Sequence, residues 1–389
     1  MNGGTVPPRT IHPGQFTQDN EPQDGSRRES TTSIQYVNTP APKKRSLRRK
    51  RPEVAFVLSG GGNLGAIQVG QLRALHEEGI RPDLIVGCSV GALNGGAIAV
   101  DSTGVGLDRL ERIWCELEAT PENLMPESWM PNPVQLIRKG ESLHSNQGLQ
   151  NSILHFLDGR QHFEELAVPF QCVATDIDAA KEKWFDQGAL LPAILASSAL
   201  PSVYPLVTID GHRYLDGGIL NNVPIQRAVD LGAKRIYVCH VGHHGRPNPT
   251  IKRPIDAALI AYWVARNSRF ARDLSTVPRS VEAIVLPPGT RPGVKFDDFS
   301  QSRTLIEQGY FNAKAYLAEL QSAEEAGESL PERLASDARR AIDELRERWS
   351  DRRALTERSS HQPENPEFIS DTEAEEMLAI LENEAEEER

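Results

Sequence analysis

The chain has 389 residues, enough for one large domain or two small ones, with 39% hydrophobic residues and a formal net charge of -11. The low apolar share predicts polar tails around an ordinary core, and the negative charge argues against a general nucleic-acid binder, which needs a basic face. The four cysteines, Cys88, Cys115, Cys172 and Cys239, form no CxxC pair, so neither a zinc site nor a redox motif is suggested, and a reducing compartment fits best.

Residues 1–50 are rich in Pro, Gly, Ser, Thr, Gln and Asn, which predicts a disordered tail. Its basic end, KKRSLRRKR at 43–51, reads as a solvated block or, alternatively, as a contact for an anionic surface. No apolar run reaches signal-peptide or membrane-spanning length, so the expected setting is cytoplasmic, with peripheral membrane contact as an option. Order begins at Val54. VAFVL at 54–58 reads as a buried strand, a glycine cluster follows, and Ile67, Val69, Leu72 and Leu75 give helical spacing over 66–78. Leu84 to Val86 reads as a second buried strand, with a helix from about Val90. This alternation predicts an α/β fold whose mainly parallel central sheet is covered on both faces, a three-layer α/β/α arrangement.

Residues 121–133 carry four prolines and read as loop. Further strands are expected at Phe170–Thr175 and Arg235–His240, turns at Pro201 and Pro205, and a helix from Pro254 to about Leu274. Two charged helical stretches follow, one from about Ser302 to near Ala326 and one over 331–350. These readings divide the chain into a tail (1–50), a main domain (51–300), a helical extension (301–350) and an acidic disordered tail (351–389). Leu124, Met125, Trp129 and Met130 are candidates for an acyl groove or for core packing. The basic amphipathic run around Tyr262 to Arg272 is a candidate for a core-packed helix or an interfacial one.

Three motifs carry chemistry. Gly87-Cys88-Ser89-Val90-Gly91 is a G-x-S-x-G between a strand and a helix, a context in which a sharp turn lifts the serine hydroxyl out at the end of the sheet. Ser59 to Gly65 contains Gly60, Gly61, Gly62 and Gly65 directly after the first strand. A dinucleotide reading needs an acidic residue at the end of the next strand, where the serine turn stands instead. The other reading is an oxyanion hole, in which bare backbone N–H groups converge on one spot. Asp216-Gly217-Gly218 is, taken alone, a common turn sequence.

Together and in this order, the three motifs resemble the patatin-like phospholipase family over about Val54 to His240. The resemblance implies a patatin-like three-layer fold and a serine carboxylic-ester hydrolase acting on acyl lipid or ester substrates. It implies Ser89 as nucleophile, Asp216 as base in a dyad without histidine, and oxyanion donors at Gly60, Gly61 and Gly62, with Val90 N–H as an addition. Gly65, Gly87, Gly91, Gly217 and Gly218 support the motifs. No metal or other cofactor is required. A Ser–Asp–His triad using His240, His243 or His244 is the competing arrangement. Leu64 stands where the family usually has Arg or Lys, which opens a second reading: a catalytically weak relative that binds lipid or protein through the same pocket.

Overall fold

The apolar runs of the sequence become neighbouring strands of one sheet. In a computed structural model of the chain, residues 33–36, 51–119, 147–201, 203–242, 254–288 and 298–325 are described. The strands are β1 (Ser33–Tyr36), β2 (Val54–Leu58), β3 (Leu84–Cys88), β4 (Phe170–Asp176), β5 (Lys181–Phe185), β6 (Leu206–Ile209), β7 (His212–Asp216), β8 (Arg235–Cys239) and β9 (Glu282–Leu286). The helices are α1 (Gly65–Glu77), α2 (Val90–Val100), α3 (Gly104–Ala119), α4 (Gln147–Phe156), α5 (Leu190–Ser197), α6 (Ile225–Asp230), α7 (Pro254–Ser275) and α8 (Ser302–Glu325).

The sheet order is β1-β6-β7-β4-β3-β2-β8-β9, with β5 added to β4. Pairing is parallel from β9 through β4 and between β1 and β6, and antiparallel where β4 meets β5 and β7 and where β6 meets β7. Side chains alternate across the pleat. Phe56 and Leu58 therefore join a core shared with α1, α2, α3, α4, α5 and α8, while Ala55 and Val57 join a smaller core with Ile225 and Ala228 of α6 and Phe270 of α7. Helices on both faces make the predicted three layers. Of the basic run on α7, Phe270 and Leu274 pack into the second core, while the side chains of Leu259 and Trp263 lie outside the described residues.

The register of β4 creates the geometry on which everything else depends. One edge carries β5 along residues 172–176. The opposite edge is shared: β3 pairs with residues 170–173 and β7 with residues 174–176. Because β3 is parallel to β4 and β7 antiparallel, their C-terminal ends run head-on toward each other. Cys88 faces Val173 and Asp216 faces Ala174, on adjacent residues of β4.

Two expectations on domain boundaries need correction. Residues 1–50 read as wholly disordered, yet Ser33–Tyr36 adds a strand parallel to β6. An edge strand is held by backbone hydrogen bonds and needs little apolar side chain, so composition hides it. The boundary at 300 also dissolves. Leu305, Ile306, Ala313 and Leu317 of α8 are buried in the main core. Gly70 of α1 and Gly309 of α8 let the two backbones touch, since a Cβ at either would strike the other helix's main chain. The readings for 121–133, the acyl-groove residues Leu124, Met125, Trp129 and Met130, the helix over 331–350 and the tail at 351–389 lie outside the described residues.

Candidate active site

Ser89 follows β3 and caps α2 with φ 54° and ψ -126°, a left-handed backbone that costs a non-glycine residue on the order of 1–3 kcal/mol. The turn is tight enough that a Cβ at Gly87 would strike the Gly91 carbonyl, and one at Gly91 would strike the carbonyls of Leu58 and Ser59. Both motif glycines are thus demanded by backbone contact. The Ser89 N–H donates to the Ser197 hydroxyl at 3.0 Å, which anchors the turn to the end of α5.

Asp216, 1% exposed, closes β7. Its Oδ1 accepts from the Gly218 N–H at 2.7 Å, which fixes the carboxylate's orientation. Its Oδ2 is buried with no hydrogen bond of full geometry. Burial pushes the Asp216 pKa above the usual carboxylate range, while the Ser89 hydroxyl, the Gly218 N–H and the positive charge of Arg266 pull the other way. A Cβ at Gly217 would strike the Val173 carbonyl of β4, so this glycine too is set by packing at the point where β3 and β7 converge.

The glycine-rich loop lies against the same spot: a Cβ on Gly60 would come 3.0 Å from the Ser89 Cβ. Of the three expected oxyanion donors, Gly60 is a correction. Its N–H is already committed to the Asn222 carbonyl at 3.1 Å. The N–H groups of Gly61 and Gly62 take no partner among the described residues. Gly62, at φ 58°, is where the loop needs a glycine backbone. The Val90 N–H, first in α2, has no intrahelical acceptor. Gly65 packs against Val90 and Trp114, with no room for a side chain.

Sequence reasoning did not find the residues that hold these pieces. Gln68, fully buried, donates to the carbonyls of Ser59 at 2.8 Å and Cys239 at 3.1 Å. Asn94, also fully buried, donates to the Gly65 carbonyl at 2.9 Å and to the Gln68 Oε1 at 2.8 Å, and accepts from the Trp114 indole N–H at 2.9 Å. One buried chain of hydrogen bonds therefore grips both ends of the glycine loop. Asn222 ties the loop to the Asp216 turn, donating to the Gly60 carbonyl at 3.3 Å. A polar residue at a core position of an apolar helix is the signal that marks Gln68 and Asn94.

His240 is 3% exposed and stacks on Phe270 at 4.8 Å. His243 and His244 lie outside the described residues. His212 stands on β7 and meets Asp176 at 3.1 Å rather than lying free in a turn. The ligand atoms of Asp176, Asp178 and His212 gather within 4.8 Å. They are already engaged: Asp176 Oδ1 accepts from the N–H groups of Asp178 and Ala179, and Asp178 is paired with Arg213. This cluster locks a turn. The cysteines are free, with Cys88, Cys172 and Cys239 buried and Cys115 partly so; burial raises all four thiol pKa values and makes them inert.

The Patatin-like phospholipase family model matches residues 56–229, the span that holds all three motifs. Patatin-like phospholipase domain-containing protein 7 of Rattus norvegicus is 35% identical over 213 residues, covering 54% of this chain and 15% of that protein. Patatin-like phospholipase domain-containing protein 6 of Homo sapiens is 30% identical over 191 residues, covering 49% of this chain and 13% of the relative. Lysophospholipase NTE1 of Mycosarcoma maydis is 27% identical over 220 residues, 55% of this chain and 11% of the relative. The likeness thus covers about half of this chain and a small part of much longer proteins. Among solved structures, VipD from Legionella pneumophila aligns over 72% of both chains at 14% identity and a TM-score of 0.34, too low to add to what the sheet itself shows. Motif order, sheet register and family match converge on one span: residues 56–229 of this chain match the Patatin-like phospholipase family model.

Proposed function

We propose that the chain is a lipid acyl hydrolase of the phospholipase A, lysophospholipase or esterase type, cleaving carboxylic esters through a Ser89–Asp216 dyad and an acyl-enzyme. The observation that carries this reading is the strained Ser89 turn brought against a buried carboxylate that has one oxygen fixed and one without a partner. The relatives' names, phospholipase-domain proteins and a lysophospholipase, point to the same chemistry.

In this mechanism Asp216 Oδ2 takes the Ser89 proton as Oγ attacks the ester carbonyl. A serine hydroxyl is a weak nucleophile without such a base. The raised carboxylate pKa brings the base closer to working pH. The N–H groups of Gly61, Gly62 and Val90 receive the oxyanion. Protonated Asp216 returns the proton to the leaving alcohol, then activates a water that releases the fatty acid and restores Ser89. The scheme needs no histidine and no metal. The working setting proposed is a reducing, cytoplasmic one with contact at a lipid surface.

The test is hydrolysis of a graded series of acyl esters by wild type, Ser89→Ala, Asp216→Asn and His240→Gln, with and without lipid vesicles. Loss of turnover in the first two variants and its retention in the third supports the dyad. A wild type inert toward every ester removes the hydrolase reading and favours a lipid- or protein-binding relative, the reading suggested by Leu64.

A further inference from the structure

Helix α7 forms a wall beside the Asp216 turn. A Cβ at Gly218 would lie 2.9 Å from Asp216 Oδ1 and 3.4 Å from the Tyr262 hydroxyl, so these three groups border one small space. One helical turn on, the Arg266 guanidinium sits over the Tyr262 ring, 5.1 Å from its centroid. Other arginines on this helix are neutralised: Arg269 pairs with Glu182 and Asp273, and Arg272 lies beside Asp273. Arg266, which is only partly exposed, forms no ion pair among the described residues. Its charge is nevertheless felt at Asp216.

A stacked guanidinium is pre-oriented: its planar fork offers two parallel donors to a phosphate, and little rotamer freedom is left to lose on binding. The site also has an electrostatic need for it. A phosphate-bearing ester would bring a second anion into a poorly solvated space beside Asp216, and like charges there repel strongly. A cation near both lowers that penalty.

We propose that Arg266, seated on Tyr262, is the anion seat for the phosphate of a lysophospholipid-type head group, while the acyl ester lies at Ser89. The assignment rests on the hydrolase reading for its placement of the ester. It accounts for the absence of a cation at Leu64: the positive charge comes from α7 instead of from the glycine loop.

The experiment pairs two esters with the same acyl chain, one with a phosphate-bearing glycerol head group and one with neutral glycerol. It compares wild type, Arg266→Gln and Arg266→Lys, each checked for an unchanged melting curve, at a pH well above the acid limb. The expected result is a fall of at least about tenfold in the ratio of kcat/KM for the phosphate ester to that for the neutral one in Arg266→Gln, carried by KM, with Arg266→Lys in between. An unmoved ratio overturns the proposal. Calorimetric binding of the non-cleavable ether analogues runs in parallel. If wild type cleaves neither ester but binds the phosphate-bearing ether at least about tenfold more tightly than Arg266→Gln does, the seat stands and the hydrolase reading falls. Equal binding by both proteins overturns the seat whatever the turnover. Inorganic phosphate that displaces the lipid at the lipid's own affinity overturns the head-group assignment in favour of a free-phosphate site.

Discussion

Around the Ser89 turn and the glycine loop, nearly every group is buried and fastened: Gln68 and Asn94 grip the loop's two ends, Ser197 holds the Ser89 N–H, and Gly87 and Gly91 close on backbone. Along α7, the facing groups Tyr262 and Arg266 are partly exposed and are held to each other by stacking. The first wall spends its hydrogen bonds on fixing positions, as stabilising a transition state requires. The second keeps a charge in reserve, as recognising a variable substrate requires. Substitutions on the first wall should therefore cost rate, and those on the second should change preference.

The largest expected effect is at Ser89. Ser89→Ala should lower kcat on the order of 10⁴-fold, whereas Ser89→Gly, equally inactive, should melt higher because glycine relieves the left-handed backbone. Calorimetry with an ester assay checks both. Asp216→Asn should match this loss of turnover. The folded protein binds a proton at Asp216 more tightly than the unfolded chain does, so the fold loses stability as pH rises from the ordinary aspartate pKa through the raised one. At any pH above the raised pKa that penalty is fully present, and there Asp216→Asn should melt above wild type. An unchanged or lower melting temperature would show the carboxylate to be better compensated than its surroundings imply. In wild type, the acid limb of kcat/KM should fall above the range of an exposed carboxylate.

Next comes the clamp. Gln68→Leu strands the Ser59 carbonyl and takes one of two donors from the Cys239 carbonyl, which keeps the Ser59 N–H, costing about 1–3 kcal/mol for the buried unpaired group. It should also lower kcat on the order of 10²-fold with little change in KM, since a loosened loop misplaces its donors. Stopped-flow kinetics beside urea titration would separate these effects, and a KM change alone would deny the clamp its positioning role. The smallest effect is expected at Arg213, which pairs with Asp178 at an exposed turn: Arg213→Ala should leave turnover and melting unchanged.

How much of this was readable from sequence depended on whether the information was local. β2, β3, β4 and β8 announced themselves as apolar runs, and α1, α7 and α8 by their period. β5, with the sequence KEKWF, carries charge at Lys181, Glu182 and Lys183, is exposed at the two lysines, and gave no such signal. Helix α5 contains Pro192 in its first turn, where proline is tolerated, so it read as an apolar stretch running into a turn. At the candidate site, Ser89 stood out because turn geometry writes glycine on both sides of its motif, whereas Asp216, alone a common turn sequence, was reached through the resemblance. Ser197, Asn222 and Arg266 act through contacts between distant segments, and nothing in their local sequence marks that.

The head-on meeting of β3 and β7 on one edge of β4 has a consequence for how the protein comes into being. Ser89 and Asp216 are contributed by strands that touch only through a third, and each pairing closes a long loop of chain. Such nonlocal pairings form late and slowly. The Ser89–Asp216 pair is thus assembled with the sheet, and on the proposed function recovery of activity on refolding should trail the return of helical signal. Under the proposed function, a lipid-cleaving centre is withheld until the whole sheet is in register.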